Sequence, residues 1–207
     1  IPLPVVADFL RSAGVLEGNE PSPVELKNFL EMPPAQALAL LYGSWTKSVG
    51  FNELRQLPGL LFEGGWQNQP LPTRQSLLHL LETIPLDQWW SLTALIAHIK
   101  EKLPDFQRPA GDYDSWFIRK ADDGKYLRGF ISWDEVDGAL VRYLVTGPLF
   151  WLGQVDLARA EQDGEVTAFR RRTKIASRQE IGRITVSSNG IISIPPLVPR
   201  AIRYQVS

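Results

Sequence analysis

The apolar rhythm of this chain changes sharply after residue 153, and the place of that change limits the fold more than any other feature. From residue 73 to about 146, apolar side chains recur at helical spacing in three blocks. These are Leu77, Leu80, Leu81 and Ile84, then Leu92, Leu95, Ile96, Ile99 and Leu103, then Val136, Ala139, Leu140, Tyr143 and Leu144. Gly147-Pro148 predicts the end of the third helix. Beyond Trp151-Leu152-Gly153 the period drops to two, in runs 154–160 and 166–172 around Asp163-Gly164, which is hairpin turn chemistry. Trp89-Trp90-Ser91 is a short extended stretch between the first two helices. Helix, short strand, helix, helix, hairpin is the winged-helix order, a helix-turn-helix variant whose third helix normally enters the major groove and whose hairpin is the wing.

Residues 104–132 interrupt this frame. Trp116 to Lys120 and Tyr126 to Phe130 flank Asp123-Gly124, so an inserted β-hairpin is expected there. Upstream, residues 1–57 read as a small helical unit, a divergent helix-turn-helix in outline. Val6, Phe9, Leu10 and Ala13 form one stripe, and a capping box at Ser22-Pro23-Val24-Glu25 opens a helix with Leu26, Phe29 and Leu30 buried. Pro33-Pro34 separates that helix from one carrying Leu38, Leu41, Tyr42 and Trp45. The glycine- and proline-rich stretch 58–72 reads as a linker, with Thr73 as the next N-cap. At the far end, Ile184 to Ser187 and Ile191 to Ile194 flank Asn189-Gly190, with Ile202 to Val206 as a third strand. The expectation is an α+β chain, mostly α. It has a helical unit (1–57), a linker (58–72), a winged-helix domain (73–178) with the insert at 104–132, and a small β module (179–207) cut short in a fragment of a longer chain.

Chemistry is harder to find. With 207 residues, 44% of them hydrophobic, the chain can bury a real core. No run of eighteen apolar residues and no signal segment is visible, so neither a membrane span nor secretion is expected, and the cytoplasm is the expected setting. The absence of cysteine removes thiolate catalysis and sulfur-held zinc, and His79 and His98 are the only histidines. Gly43-Ser44-Trp45-Thr46-Lys47-Ser48 has the Lys-Ser pair of a phosphate loop but threonine where its glycine must stand. The carboxylates Asp112 and Asp114, Asp122 and Asp123, and Asp134, Glu135 and Asp137 sit where turns and helix starts use aspartate. The expectation is no enzyme, no cofactor and no metal.

Charge is unevenly placed. Net charge is −1, yet residues 159–207 hold nine basic against four acidic side chains, with no acid between Glu165 and Glu180. Arg170, Arg171, Arg172, Lys174 and Arg178 therefore form the expected nucleic-acid-binding set, a basic wing giving weak, sequence-tolerant phosphate contacts to double-stranded DNA. Strand alternation puts Arg170 and Arg172 on one face, with Arg171 and Thr173 on the other. The solvent face expected for the third helix, Asp134, Asp137, Gly138, Val141, Arg142 and Val145, is too acidic to read bases. The alternative is a protein-interaction scaffold that docks through Val141, Arg142, Val145 and the inserted hairpin, with another domain or a protein as partner.

A set of motifs adds a family likeness. Trp89-Trp90-Ser91-Leu92, Pro104-Asp105-Phe106-Gln107-Arg108-Pro109, Tyr113-Asp114-Ser115-Trp116, Trp133-Asp134 with Gly138, and Gly147-Pro148-Leu149-Phe150-Trp151-Leu152-Gly153 carry it. Together they resemble large uncharacterised bacterial helicase-associated winged-helix proteins, similar to the non-motor N-terminal region of XPB-type helicases. The run Arg183 to Val206 resembles the small β module that accompanies them. The resemblance spans roughly residues 20 to 207 and rests on structural aromatics, glycines and prolines. It implies a non-enzymatic DNA-associated or transcription-regulatory fragment without a motor.

Overall fold

The computed structural model describes residues 1–160, 164–173 and, for the backbone, 181–183. The predicted β strands beyond residue 183, with Lys174 and Arg178, lie outside the described residues. The chain opens with helix α1 (Leu3–Ser12), a tight pair of two-residue strands β1 (Leu16–Glu17) and β2 (Glu20–Pro21), and helices α2 (Pro23–Glu31) and α3 (Pro34–Trp45). Strand β3 (Leu60–Glu63) precedes α4 (Pro70–Glu82), β4 (Trp89–Ser91) and α5 (Leu92–Lys102). After β5 (Phe117–Lys120) comes α6 (Ala139–Leu144), flanked by π-helical turns Asp134–Gly138 and Val145–Leu149. The hairpin β6 (Val155–Arg159) and β7 (Val166–Arg171) follows, then β8 (Ile181–Arg183). The fold is mixed α and β with small sheets. The largest has the order β4-β7-β6-β8, in which β4 pairs antiparallel with the far arm of the hairpin and β8 lies parallel to β6. Residues 181–183 thus pair with the near arm of the hairpin.

Several local expectations need correction. Residues 58–72 are more than a spacer, because β3 pairs antiparallel with β5 and turns Leu60 and Phe62 toward a core containing Ile118. The inserted hairpin is short, with Lys120 N–H donating to the Lys125 carbonyl and Leu127 N–H to the Ile118 carbonyl, at 2.9 and 2.8 Å. The turn at Gly124 forms, but the returning arm makes a single bridge, Arg119 to Tyr126. Ser22 occupies its predicted cap position without a side-chain cap bond, and α2 buries none of its residues, so Leu26, Phe29 and Leu30 are no core stripe. Helix α4 starts at Pro70 with Gln69 as cap, which places Thr73 inside the helix. The third helix runs through Gly147-Pro148, where the wider π turn accommodates the missing proline N–H.

Two buried clusters organise the molecule. The first joins Val5, Phe9, Trp45 and Phe51 to Leu77, Trp90, Leu95 and Phe169, so the N-terminal helices and the α4–β7 region share one core. The second gathers Leu54, Leu57, Trp116, Ile118 and Leu127 around Val136 and Leu140. The α6 region lies between them, giving Val141, Leu144 and Val145 to the first cluster. None of the seven tryptophans is exposed, which favours core packing over a stacking platform for bases.

Burial leaves a titration signature. Desolvation raises the phenol pKa of Tyr42, Tyr113 and Tyr143, with Asp105 reinforcing the effect at Tyr113 and Glu53 at Tyr143. A phenol whose folded pKa is raised keeps its proton where the unfolded chain gives it up. Its stabilisation is therefore complete below the ordinary tyrosine pKa near 10 and is lost as pH rises through the folded value. In a near-ultraviolet titration, these three of the five tyrosines should ionise only with unfolding. Five phenols titrating together near pH 10 while the fold persists would contradict this.

Candidate functional site

The arginines of the hairpin are placed by strand alternation as expected, but each has work inside the fold. Asp156 on β6 stands directly opposite Arg170 on β7. Arg170 donates to Asp156 Oδ2 from Nε at 3.1 Å and from Nη2 at 2.7 Å, and its guanidinium lies 4.9 Å from the Trp89 ring centre. Arg172 shares the same carboxylate, with Nη1 at 3.4 Å from Oδ1. Arg171, pointing to the other face, donates to the carbonyls of Glu82 and Ile84 at 3.0 and 2.6 Å. A cation at the C-terminal end of α4 is favoured by the helix dipole as well as by these two bonds. The side chain of Arg170 remains 37% exposed. Asp156 was missed by sequence reasoning, although it is the acid nearest the arginines once the hairpin register is drawn.

The face expected to be open on the third helix is closed. Val141 is 2% and Val145 0% exposed, and Asp137 and Gly138 are buried with them. The insert covers the start of this segment, while Val141 and Val145 pack into the larger core cluster. Gln107 Nε2 and Arg108 Nε both donate to Asp137 Oδ1, at 2.6 and 3.0 Å. Burial pushes the Asp137 carboxyl up, against the pull of Arg108. At Gly138 a Cβ would stand 3.1 Å from the Trp133 ring and 3.4 Å from Ile96 of α5, so the segment packs closely where it has no side chain. Arg142 is half-buried and donates to the Val166 carbonyl at 3.0 Å, tying the helix to β7. The trio Val141, Arg142 and Val145 is therefore structural rather than a docking face. Asp134 and Glu135 remain exposed, engaged by Lys100 at 2.5 Å and by Lys120 respectively.

Among the side chains that the insert turns outward is an aromatic row. Phe117 and Tyr126 meet edge to face at 6.5 Å, and the Arg128 guanidinium lies over both rings at 5.1 and 5.4 Å. Phe130 and Ile131 follow, Ile131 being 90% exposed. Beneath them Glu63 accepts bonds from the Tyr126 hydroxyl at 2.7 Å and Arg119 Nε at 2.5 Å, and these two donors, Tyr126 first, hold its carboxyl below the usual range. Sequence spacing does not mark this row, because Phe117 is set by the pairing of β5 with β3, more than fifty residues away in the chain. Among the described residues no three histidine, aspartate or glutamate side chains converge as metal ligands, and no helix is long and apolar enough to cross a membrane. No family model, curated protein or solved structure matches this chain.

Proposed function

We propose that this chain is a non-enzymatic accessory module of the winged-helix kind that docks proteins rather than reading DNA sequence. Support for the winged-helix assignment is the succession α4, β4, α5, α6 and β6–β7, with β4 paired to β7. The docking reading is carried by the burial of the α6 region. A helix that reads bases must offer side chains to a groove, whereas this one is packed on both sides and keeps the acids Asp134 and Glu135 outside. The insert that covers its start offers instead aromatic side chains and an arginine, the residue types that anchor protein interfaces. The resemblance to helicase-associated proteins supplies a setting, a longer chain or assembly that handles DNA. A photo-crosslinking side chain at position 131 should capture a protein of defined mass in cells that make the natural chain, whereas the same group at exposed Glu25 should not. No product specific to position 131 would count against docking through the insert.

A weak phosphate contact by the wing is the second reading. It is favoured by Arg170 and Arg172 sharing a single carboxylate, which leaves one of these two cations without an acid of its own. Two phosphates neutralised would weaken binding to a random duplex roughly tenfold between about 50 and 200 mM salt. Reversing the charge of either arginine would crowd acids around Asp156, so Asp156→Asn is the cleaner variant. It should strengthen duplex binding if the wing is a phosphate contact, and docking alone predicts no binding at either salt.

A further inference from the structure

The aromatic row of the insert lies on one face of the β3–β5 pair and of the arm that returns from it. Glu63 stands opposite Phe117, Leu61 opposite Arg119, and Arg119 bridges to Tyr126. Because side chains alternate along a strand, Leu61 and Glu63, Phe117 and Arg119, and Tyr126 and Arg128 share the outer face, while Phe62, Ile118 and Leu127 turn to the core. Leu61, Phe117 and Tyr126 are exposed, and Phe130 and Ile131 extend the apolar surface beyond Gly129. Glu63 is the acid of this face, and both its oxygens are taken, Oε1 by Arg119 and Oε2 by the Tyr126 hydroxyl. Asp122 and Asp123 at the turn act on Lys120, which alternates to the other side and pairs with Glu135. Asp114 accepts the Gly129 N–H at 3.1 Å. Among the described residues, Arg128 is left with no carboxylate within ion-pair reach and with no hydrogen bond from its guanidinium.

An unpaired arginine on a surface is ordinary when its side chain moves freely in water. Arg128 is exposed but held, because its guanidinium rests over the Phe117 and Tyr126 rings at 5.1 and 5.4 Å. Its donors therefore stand as a planar fork in a fixed place, the geometry that grips a carboxylate through two parallel bonds. A partner's acid would meet a cation that is already ordered, so little side-chain entropy is lost on binding. Leu61, Phe130 and Ile131 stand around that point and would shield the new pair from water once covered. The same surroundings disfavour nucleic acid, since a duplex would lay phosphates on apolar side chains for one unpaired cation on this face.

We infer that this face binds an acidic polypeptide segment, whose aspartate or glutamate docks on Arg128 with apolar residues to either side. The inference rests on the docking reading and adds the partner's chemistry to it. The test titrates the intact chain with capped hexapeptides that alternate leucine with aspartate, asparagine or lysine, and follows the Leu61 and Ile131 methyl resonances by NMR. A random duplex of about 30 base pairs is the parallel probe. The aspartate peptide should shift both methyls saturably at about 1 mM, binding about tenfold more tightly than the asparagine peptide, with the lysine peptide weaker still. Arg128→Gln should bring the aspartate peptide down to the asparagine level, with unmoved resonances of the buried Val145 reporting an intact fold. The inference is overturned if the aspartate peptide leaves the methyls unmoved, if another peptide binds as tightly, if the preference survives Arg128→Gln, or if the duplex produces the shift instead. A shift that grows with the concentration of the chain alone and vanishes in Arg128→Gln would give the face to a second copy, and would overturn it too. A crosslink at position 131 with peptides bound regardless of charge would keep the docking reading and remove the acidic partner, so the two fail separately.

Discussion

Arg74→Met is expected to cost about 3–5 kcal/mol of folding stability, because it breaks a buried ion pair and strips several carbonyls at once. Arg74 projects from α4 and is 1% exposed. Its Nε donates to Glu53 Oε1 at 2.5 Å and its Nη2 to Glu53 Oε2 at 3.1 Å. The remaining donors reach the carbonyls of Trp45 at 2.9 Å, Ser48 at 2.6 Å and Phe51 at 2.6 Å. One guanidinium thus closes the chain ends left by α3 and holds the N-terminal helices on α4. Lysine could not replace it, since a single ammonium cannot span a carboxylate and three carbonyls in one plane. Removing only the arginine leaves Glu53 buried with the Trp45 indole N–H, at 2.8 Å, as its remaining donor. Urea denaturation should show a lower midpoint at unchanged slope. Arg74→Met combined with Glu53→Leu should recover part of the loss, because the stranded charge is then gone. A midpoint for Arg74→Met within about 0.5 kcal/mol of the parent would refute this account.

The same residue shows where sequence ends as a guide. The helices α4 and α5, the β6–β7 hairpin and the opposed faces of Arg170 and Arg171 are all legible, since each depends on periodicity or on a turn a few residues long. Arg74 is not, because its partners Glu53, Trp45 and Ser48 lie 21 to 29 residues earlier and nothing local marks it as buried. Asp137 is a similar case. As an acid near a helix start it reads as solvated, and its burial depends on Gln107 and Arg108, 29 or 30 residues away. Proline and glycine in 58–72 signal turns correctly but cannot report that Leu60 to Glu63 will pair with a strand more than fifty residues later. The apolar stripe of α2 fails in the opposite direction, since spacing creates a stripe but only a neighbouring element can bury it.

Val145→Asp separates a docking side chain from a core side chain by a large margin. If Val145 faced solvent, the variant would fold normally and lose only a partner. In the fold it is fully buried in the larger core cluster with Leu144 and Leu149. A carboxylate set there among Leu144 and Leu149 must be desolvated or held protonated, so a loss of about 4 kcal/mol or more is expected. At this chain length that corresponds to a drop in Tm of roughly 8–16 °C. Ile131→Asp is the matched control, because the same change at a nearly bare position on the insert should move stability by no more than about 0.5 kcal/mol. A Val145→Asp chain as stable as the Ile131→Asp chain would return the third helix to the surface and remove the observation on which the docking reading stands. The reverse outcome leaves the insert as the accessible face of this region, so a variant at Ile131 can weaken a partner without weakening the fold.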